Sequence, residues 1–563
     1  MRREVSVVNK KVCSFPILFA LLALLIGICA VVFPASAQAA PTSTGSITVS
    51  GTVARSYDAY QIFSANVVDG DSDAKIATDL AWASDAVRDA ALPVLHSAGM
   101  PNSQTTAQEA AEWLNTDSHL TSALSAQLAR SLQSSGAVPV ALNAGTAAEL
   151  PCGYWLIVAD DDAISQGEAD AAPIMALVGG SAVTVKPKAA TPKVAKHVLE
   201  DSTAAWQKAA DATVADDLYW RLSATVPAGL TAYDTYAVQF VDTMSAGLDP
   251  SKVAASMRVY VAAGADGGFD AVSAGKDGRA GTEPAKGWTD ITAQCATKVA
   301  ADGKTFTVRT GDLIAALGGA DAFTAGARVV AVYNAPLNSA CNHGIAKGNP
   351  NEVYLRYPRS PFADQSGDAG FTRTPSDDAC AYTWDLALTK RGSDGDKPLA
   401  GAVLSITDDR GRTLAADGTW DAEGKATVTT GEDGRVTVSG VDSGKLEVRE
   451  LKAPKGYTAF EGTRSVTVKA EGLDVDQVAA AKPKLTITAE SPLRADSADG
   501  STGSLEASLI NTPAGTPPSI FTGGFMPSTG DMAMFTAAAV AVVGAALIVV
   551  ALLVKRGGGS HKE

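Results

Sequence analysis

The chain has few of the residues that enzymes use to hold metals or to activate nucleophiles. Only five histidines and six cysteines occur in 563 residues. They form no metal-spaced group, and no Gly-rich phosphate loop followed by Lys and Ser or Thr is present. We therefore predict no bound metal or cofactor, and we predict that the protein is not an enzyme with a turning-over substrate.

The charge balance argues against nucleic acid as a partner. Lys and Arg number 46 against 61 Asp and Glu, which gives a formal net charge of -15. No basic run with interleaved aromatic residues is available to neutralise phosphates. We predict no nucleic-acid partner, and an acidic surface favours the solubility of an exported protein.

The N-terminus indicates export. Basic residues near the start precede an apolar segment over residues 15–33, and Ala37-Gln38-Ala39 offers small residues to signal peptidase. We predict that residues 1–39 are a signal peptide and that the mature protein is secreted.

Four cysteines remain after removal of this signal peptide. They are Cys152, Cys295, Cys341 and Cys380. In an oxidising compartment, and without metal-like spacing, they are disulfide candidates. Four cysteines allow three pairings, and the sequence does not choose among them.

The far end of the chain joins a short motif to a membrane span. Met526-Pro527-Ser528-Thr529-Gly530 is followed by an uncharged apolar run over 534–554 and a basic tail over 555–563. Such a run spans a bilayer as one helix, with the basic residues on the cytoplasmic side. The pentapeptide resembles the Leu-Pro-x-Thr-Gly signal of sortase substrates, with Met for Leu. The resemblance implies cleavage between Thr529 and Gly530, transfer of the Thr carbonyl to an amine, and only transient membrane anchoring.

Residues 40–188 are predicted to form a first domain that mixes strands and helices. Strand patterns cover 46–53, 57–68, 154–159 and 173–185. Helical patterns cover 74–98, 106–114 and 120–132. The words Tyr-Asp-Ala-Tyr-Gln-Ile-Phe at 57–63 and Leu-Pro-Cys-Gly-Tyr-Trp-Leu-Ile-Val at 150–158 resemble the N-terminal domain of Gram-positive shaft pilins.

This domain ends in Val-Thr-Val-Lys-Pro-Lys at 183–188, before a Pro-punctuated linker. Shaft pilins carry a Tyr-Pro-Lys motif at this place, and its lysine accepts the sorted Thr of the next subunit. The resemblance implies that Lys188 is the acceptor. Lys186 stands where the Tyr is expected and remains an alternative. No lysine lies on the opening strand, so we predict no internal crosslink in this domain.

Short strands broken by Gly, Asp and Pro predict a β-sandwich over 189–360. Three short segments resemble parts of the fimbrial isopeptide-formation domain. They are Pro-Lys-Val-Ala-Lys at 192–196, Phe-Val-Asp-Thr-Met at 240–244 and Gly-Asn-Pro-Asn-Glu-Val-Tyr-Leu at 348–355.

After a linker over 361–381, residues 382–513 resemble the collagen-adhesin B-type domain, an Ig-like sandwich. The matching words are Thr-Trp-Asp-Leu-Ala-Leu-Thr-Lys at 383–390, Glu-Val-Arg-Glu-Leu-Lys-Ala-Pro-Lys-Gly-Tyr at 447–457 and Leu-Ile-Asn-Thr-Pro at 509–513. A Gly/Pro/Thr-rich spacer over 514–525 then leads to the sorting signal over 526–563.

Both families form an internal Lys-to-Asn isopeptide bond assisted by an acid. The resemblance implies two trios, which are Lys196, Asp242 and Asn351, and Lys390, Glu450 and Asn511. Asn349 and Lys193 remain alternatives in the first trio. The lysine must be neutral to attack, and burial lowers its pKa. An acid kept protonated by burial polarises the amide and carries protons to the departing ammonia.

The fold class predicted for the whole chain is mainly β. It consists of tandem Ig-like β-sandwich domains, the first with a helical insertion, plus a C-terminal transmembrane helix. The chain resembles major shaft pilins of Gram-positive sortase-assembled pili, which implies a cell-wall-anchored surface pilus. The implied partners are pilin-specific and housekeeping sortases, identical subunits, accessory tip or basal pilins, peptidoglycan and host surface ligands. A monomeric wall-anchored adhesin, or a minor basal or tip pilin, is the alternative.

Overall fold

The computed structural model describes residues 43–515 except for 52–54, 72–73, 117, 161–171, 188–190, 229, 265–286, 320–321 and 323–325. The predicted signal peptide, Lys188, the sortase motif and the predicted transmembrane helix lie outside the described residues. In the part of the chain that the structure describes, no helix is long and apolar enough to cross a membrane. Strands predominate and helices are few, so the mainly β class is confirmed.

The first unit covers residues 43–187. Its elements are β1 Thr44–Val49, β2 Ser56–Asp69, β3 Lys75–Trp82, α1 Asp85–Ser97, α2 Ala107–Asn115, α3 Ser122–Ser134, β4 Val140–Asn143, β5 Ala147–Pro151, β6 Gly153–Ala159, β7 Ile174–Val178 and β8 Val183–Val185. One sheet has the order β5-β1-β8, and the other has the order β3-β2-β6-β7 with β4 on β2. Leu95 and Leu128 of the helices pack with Phe63 and Leu156 of the larger sheet.

Two local predictions in this unit were wrong. The segment 74–98 forms β3 followed by α1, because its first part pairs antiparallel with β2 despite its alanines. The helix begins after Ser84, whose side chain accepts a hydrogen bond from the Val87 amide. The segment 173–185 forms β7 and β8 rather than one strand. Gly179 separates them at a φ of 131°, where a Cβ would lie 2.6 Å from that of Val67.

The second unit covers residues 191–382. Its strands are β9 Lys193–Glu200, β10 Ala205–Gln207, β11 Ala209–Asp211, β12 Tyr219–Val226, β13 Gln239–Met244, β14 Arg258–Ala263, β15 Thr289–Asp290, β16 Ala296–Val299, β17 Thr305–Arg309, β18 Ala327–Asn334, β19 Asn349–Pro358, β20 Phe371–Arg373 and β21 Asp377–Tyr382. Its helices are α4 Val253–Ser256, α5 Leu313–Ala316 and 3-10 turns at Leu230–Ala232, Pro250–Lys252, Thr292–Gln294 and Asp368–Gly370.

Two sheets enclose the core of this second unit. One has the order β10-β9-β12-β18-β14-β15, and the other has the order β11-β21-β19-β13-β17-β16 with β20 on β19. Trp220 and Leu222 from the first sheet pack with Phe240 and Phe306 from the second. The predicted linker 361–381 differs from the structure, because it contains β20 and β21, which both pair with β19. Its Pro and Asp content suggested a loop, but strand pairing decides the conformation.

The third unit covers residues 384–513. Its elements are β22 Trp384–Gly392, β23 Val403–Thr407, β24 Thr413–Leu414, β25 Trp420–Asp421, β26 Val428–Thr429, β27 Arg435–Val441, β28 Gly444–Lys452, β29 Tyr457–Thr458, β30 Thr463–Glu471, a 3-10 turn at Val478–Ala480, β31 Lys484–Ala489, β32 Leu493–Asp499 and β33 Ser504–Pro513. One sheet has the order β27-β22-β33-β29 with β32 on β33, and the other has the order β25-β24-β23-β28-β30-β31 with β26 on β23. The first and last strands, β22 and β33, are parallel neighbours.

The second and third units meet in a polar junction. The indole Nε1 of Trp384 donates to Asp211 Oδ2 at 2.6 Å. The guanidinium of Arg412 donates to both carboxyl oxygens of Asp216 at 2.5 and 2.8 Å. Cys380, on the last strand of the second unit, packs into the core of the third. The junction therefore combines shared apolar packing with charged hydrogen bonds that cross it.

Candidate functional sites

Lys196, Asp242 and Asn351 meet inside the second unit, and all three are fully buried. Lys196 projects from β9 in one sheet, while Asp242 on β13 and Asn351 on β19 come from the facing sheet. The ammonium Nζ of Lys196 donates a hydrogen bond to Asp242 Oδ2. The trio that the sequence predicted is thus brought together across the core, between the two sheets.

A tyrosine that the sequence analysis missed connects these three side chains. The hydroxyl of Tyr333, on β18, accepts from Lys196 Nζ at 3.0 Å and from Asn351 Nδ2 at 2.8 Å, and it donates to Asp242 Oδ2 at 2.9 Å. Tyr333 pairs with Trp220 of β12, and β12 is the neighbour of β9. An inward-facing tyrosine on a nearby strand was visible in the sequence, but the strand register that brings it to Lys196 was not.

Burial controls the protonation of this cluster. It lowers the pKa of Lys196 to about 8, and the neighbouring Asp242 carboxylate only partly opposes that effect. Burial also raises the pKa of Asp242, with Lys196 opposing the rise. Both shifts favour the uncharged forms, which are a free amine on the lysine and a proton on the acid. The pKa of Tyr333 is raised well above its ordinary value by burial, so its hydroxyl stays protonated.

The two alternatives in this unit lie elsewhere. Asn349 is held by the backbone: its Oδ1 accepts from the Asn342 amide at 2.8 Å, and its Nδ2 donates to the carbonyls of Asn342 at 2.9 Å and Ala381 at 3.2 Å. Lys193 is exposed at the start of β9. Of these candidates, only Lys196 and Asn351 share a hydrogen-bond network.

Lys390, Glu450 and Asn511 form a second buried trio, in the third unit. Lys390 lies on β22 and Asn511 on β33, so both belong to one sheet, while Glu450 reaches them from β28 in the other. Asn511 Nδ2 donates to Glu450 Oε1 at 2.9 Å and to Oε2 at 3.0 Å. Lys390 Nζ lies 3.8 Å from Glu450 Oε1 and donates to the carbonyl of Leu509 at 3.1 Å. Burial lowers the pKa of Lys390 to about 8.

The two sites share an arrangement of the asparagine amide. In each, the amide nitrogen is hydrogen-bonded, whereas Oδ1 of Asn351 and of Asn511 has no hydrogen-bond partner among the described residues. The nitrogen is the atom that leaves as ammonia when a lysine amine replaces it. In each site the amide nitrogen thus donates to a neighbouring side-chain oxygen, which is the Tyr333 hydroxyl for Asn351 and the Glu450 carboxyl group for Asn511.

The first unit has no comparable group among its described residues. Its buried Lys75 donates to the carbonyls of Gly179 at 2.5 Å and Ser181 at 2.6 Å, and lies 3.4 Å from Asp69. These contacts fasten a loop rather than present an amine to an amide. Lys186, the alternative acceptor, is exposed directly after β8.

The predicted disulfides are not present in the structure, where all four cysteines are free thiols. They lie in different places: Cys152 in the first unit, Cys341 and Cys295 at the core of the second, and Cys380 in the core of the third. Distinct hydrophobic cores, which the sequence did not reveal, separate Cys152 and Cys380 from the two cysteines of the second unit. Cys295 and Cys341 share a core, but their sulfurs contact the Ile291 carbonyl at 3.3 Å and His343 Nε2 at 3.5 Å.

Comparison with known protein families gives a match in the third unit. Residues 385–482 match the model of the SpaA prealbumin-like fold domain. In a separate comparison, 143 residues of the chain are 30% identical to the trypsin-resistant surface T6 protein of Streptococcus pyogenes serotype M6. That alignment covers 24% of each protein, so the chain spans about a quarter of the length of this curated relative. The resemblance to pilins inferred from the sequence is confirmed by these matches.

Solved structures to which this chain is similar include backbone and major pilins. The T6 backbone pilin of serotype M6 S. pyogenes has a TM-score of 0.45 and 16% identity, covering 85% of this chain and 100% of that one. The major pilin SpaD from Corynebacterium diphtheriae has a TM-score of 0.40 and 15% identity, covering 84% and 98%. The major pilin SpaA from C. diphtheriae has a TM-score of 0.37 and 13% identity, covering 83% and 99%.

Proposed function

We propose that the protein is a structural shaft subunit of a covalently polymerised cell-surface pilus, braced by one Lys-Asn isopeptide bond in each of its second and third units. The observation that carries this proposal is the occurrence of two fully buried lysines, Lys196 and Lys390, each beside one acid and one asparagine amide. Lysine is almost never fully buried unless it is paired. Two such groups in successive units support one shared chemistry.

The proposed reaction is a single amide exchange at each site. The neutral amine of the lysine attacks the Asn carboxamide carbon, and the C–N bond to Nδ2 breaks as the new C–Nζ bond forms. The protonated acid supplies the proton that reaches Nδ2, which departs as ammonia, and takes one amine proton in its place. Asp242 and Glu450 are the groups in these roles, and each bond forms once, without turnover.

The placement of the bonds suits a protein that carries tension. In the SpaA-type third unit, Lys390 lies on the first strand and Asn511 on the last, and these strands are parallel neighbours. Pulling on the two chain ends would otherwise shear the hydrogen-bond ladder between these strands. A bond from Lys390 to Asn511 transmits the force covalently, and it restricts the unfolded chain as a disulfide does.

We propose that polymerisation uses the sortase motif and the acceptor lysine that were predicted from the sequence. A pilin sortase cleaves between Thr529 and Gly530 and transfers the Thr carbonyl to Lys188 of the next subunit, and a housekeeping sortase attaches the finished polymer to peptidoglycan. Support comes from the order of motif, apolar span and basic tail in the sequence, and from the similarity to the T6 surface protein. Host surface ligands and accessory pilins remain expected partners.

The test uses the native strain and its cell-wall fraction. Wild-type chain is expected to give a ladder of denaturant-resistant polymers, and mass spectrometry should find Thr529 joined to Lys188. Lys188→Ala should abolish the ladder, while Lys186→Ala, the matched control, should keep it. A ladder that persists in Lys188→Ala and disappears in Lys186→Ala would reassign the acceptor. Absence of any ladder in the wild type would favour the monomeric wall-anchored adhesin, and incorporation at only one end of another polymer would favour a minor pilin.

A further inference from the structure

We infer that Tyr333 is a further catalytic residue of bond formation in the second unit, where its hydroxyl passes a proton to the departing nitrogen of Asn351. This inference rests on the proposed isopeptide bond. Tyr333 qualifies because its oxygen contacts both reacting nitrogens, Lys196 Nζ at 3.0 Å and Asn351 Nδ2 at 2.8 Å. It also donates to the acid, Asp242, at 2.9 Å.

The reason a tyrosine is needed appears when the two sites are compared. In the third unit, Glu450 contacts the leaving nitrogen of Asn511 with both carboxyl oxygens. In the second unit the acid is Asp242, whose side chain is one methylene shorter. The hydrogen bonds of Asp242 go to Lys196 and Tyr333, and none joins it to Asn351 among the described residues. The hydroxyl of Tyr333 fills the gap between the shorter acid and the amide.

The proton path balances without any further reactant. As the amine attacks, the amide carbon becomes tetrahedral and the lone pair of Asn351 Nδ2 is freed from conjugation. This lone pair accepts the Tyr333 hydroxyl proton while protonated Asp242 gives its own proton to the Tyr333 oxygen. The Asp242 carboxylate then takes a proton from Lys196 Nζ, and Asn351 Nδ2 leaves as ammonia. Tyrosine and aspartic acid both end as they began.

The surroundings of the Tyr333 hydroxyl favour a group that accepts one proton as it donates another, rather than a free base. Burial keeps Tyr333 protonated, because its pKa lies well above the ordinary value. A free tyrosinate is therefore unfavourable, and loss and gain of the proton must be coupled. The ring is fixed by an edge-to-face contact with Phe306 at 4.8 Å between centroids, which holds the oxygen in position.

The test follows crosslinking in the full-length chain after arrest of cell-free synthesis. Peptide mapping measures the Lys196–Asn351 and Lys390–Asn511 crosslinks in the same sample, so the third unit serves as an internal control. Tyr333→Phe removes only the hydroxyl. Tyr236→Phe is the matched control, because Tyr236 is equally buried in the same core and no described hydrogen bond joins its hydroxyl to the trio.

Tyr333→Phe is expected to slow formation of the Lys196–Asn351 crosslink by about 100-fold or more, as for loss of a general acid-base group. Tyr236→Phe should leave its rate unchanged, and the Lys390–Asn511 crosslink should form normally in both variants. An unchanged rate in Tyr333→Phe overturns the inference and leaves the proposed function intact. Absence of the Lys196–Asn351 crosslink in the wild type overturns the proposed bond itself.

A second measurement separates proton transfer from folding. 3-Fluorotyrosine at position 333 keeps the hydroxyl and nearly the same shape, but its phenol is more acidic. The crosslinking rate and its pH profile should shift with this replacement, whereas a purely structural role predicts no shift. An unshifted rate and profile overturn the inference even if Tyr333→Phe fails to fold.

Discussion

Asn511 places its amide nitrogen 2.9 and 3.0 Å from the two carboxyl oxygens of Glu450. The carboxyl group is held in this orientation by the amide of Phe460, which donates to Oε2 at 3.1 Å. Lys390 Nζ lies on the Oε1 side, at 3.8 Å. One acid thus lies next to both the lysine amine and the asparagine amide.

Removal of this acid should prevent the crosslink of the third unit. The wild-type chain is expected to weigh less than its sequence mass by two ammonia molecules, and Glu450→Ala by only one. The lost crosslink should lower the free energy of unfolding by about 2–5 kcal/mol, by analogy with a disulfide. Glu447→Ala on the same strand is the control, since Glu447 is exposed beside Lys445. Intact mass and chemical denaturation check both results, and a wild-type mass equal to the sequence mass would refute both bonds.

The pH dependence of a chain without this crosslink should report the buried amine. In Asn511→Ala, Lys390 stays free, with a folded-state pKa of about 8 against 10.5 when unfolded. The unfolded chain then binds more protons between these values, so the free energy of unfolding should rise as pH increases from 8 to 10.5, by at most about 3 kcal/mol. Denaturation midpoints at several pH values measure this. The double variant Lys390→Met/Asn511→Ala lacks the amine and should be flat by comparison; an equal slope in both would contradict the assignment.

The junction between the second and third units should depend on Arg412. Its side chain is one-fifth exposed and donates to both oxygens of Asp216, which is nearly buried. Arg412→Ala removes two charged hydrogen bonds from this carboxylate, which keeps its ion pair with Arg410 Nη1 at 2.9 Å, and should destabilise the junction by about 1.5–3 kcal/mol. Hydrogen exchange of the junction amides and thermal unfolding measure the effect. The exposed pair of Arg435 and Glu506 gives the control, because Arg435→Ala should cost at most about 1 kcal/mol.

The cysteines should react as thiols, not as disulfides. Cys152, Cys341 and Cys380 are buried, and burial raises the pKa of the Cys341 and Cys380 thiols to about 11. These three should resist a maleimide in the folded protein and react fully once it is denatured without a reductant. Mass spectrometry counts the labels. Protection that persists in denaturant and is lost only after reduction would restore the disulfide prediction.

The residues of the two trios could be predicted from the sequence because each lies in a short segment of one strand that is similar to a known domain. The trio lysines, acids and asparagines all stood inside short segments similar to known domains, and the structure brings each trio together. The choice between Asn349 and Asn351 was different. They are two residues apart on β19 and both buried, so strand periodicity places them on one face and does not separate them. Pairing decides, because Asn351 lies opposite Met244, beside the acid-bearing segment of β13.

The role of Tyr333 and the strand β3 were not predicted from the sequence. The part played by Tyr333 depends on the register of β18 against β12 and β9, and register is a property of distant chain segments. The pairing of β3 with β2 likewise overrides the helix preference of its alanines. In both cases the conformation depends on pairing between strands that are distant in the sequence, and local composition does not predict that pairing.

The parallel arrangement of β22 and β33 also bears on how far the protein lengthens when stretched. Since the first and last strands run the same way, the chain enters the third unit at one end and leaves it at the other. Unravelling this unit would ordinarily release roughly 400 Å of extended backbone between Lys390 and Asn511. With the proposed bond in place, that length is not available. A fibre of such subunits would therefore lengthen less under a sudden pull than a fibre without this bond.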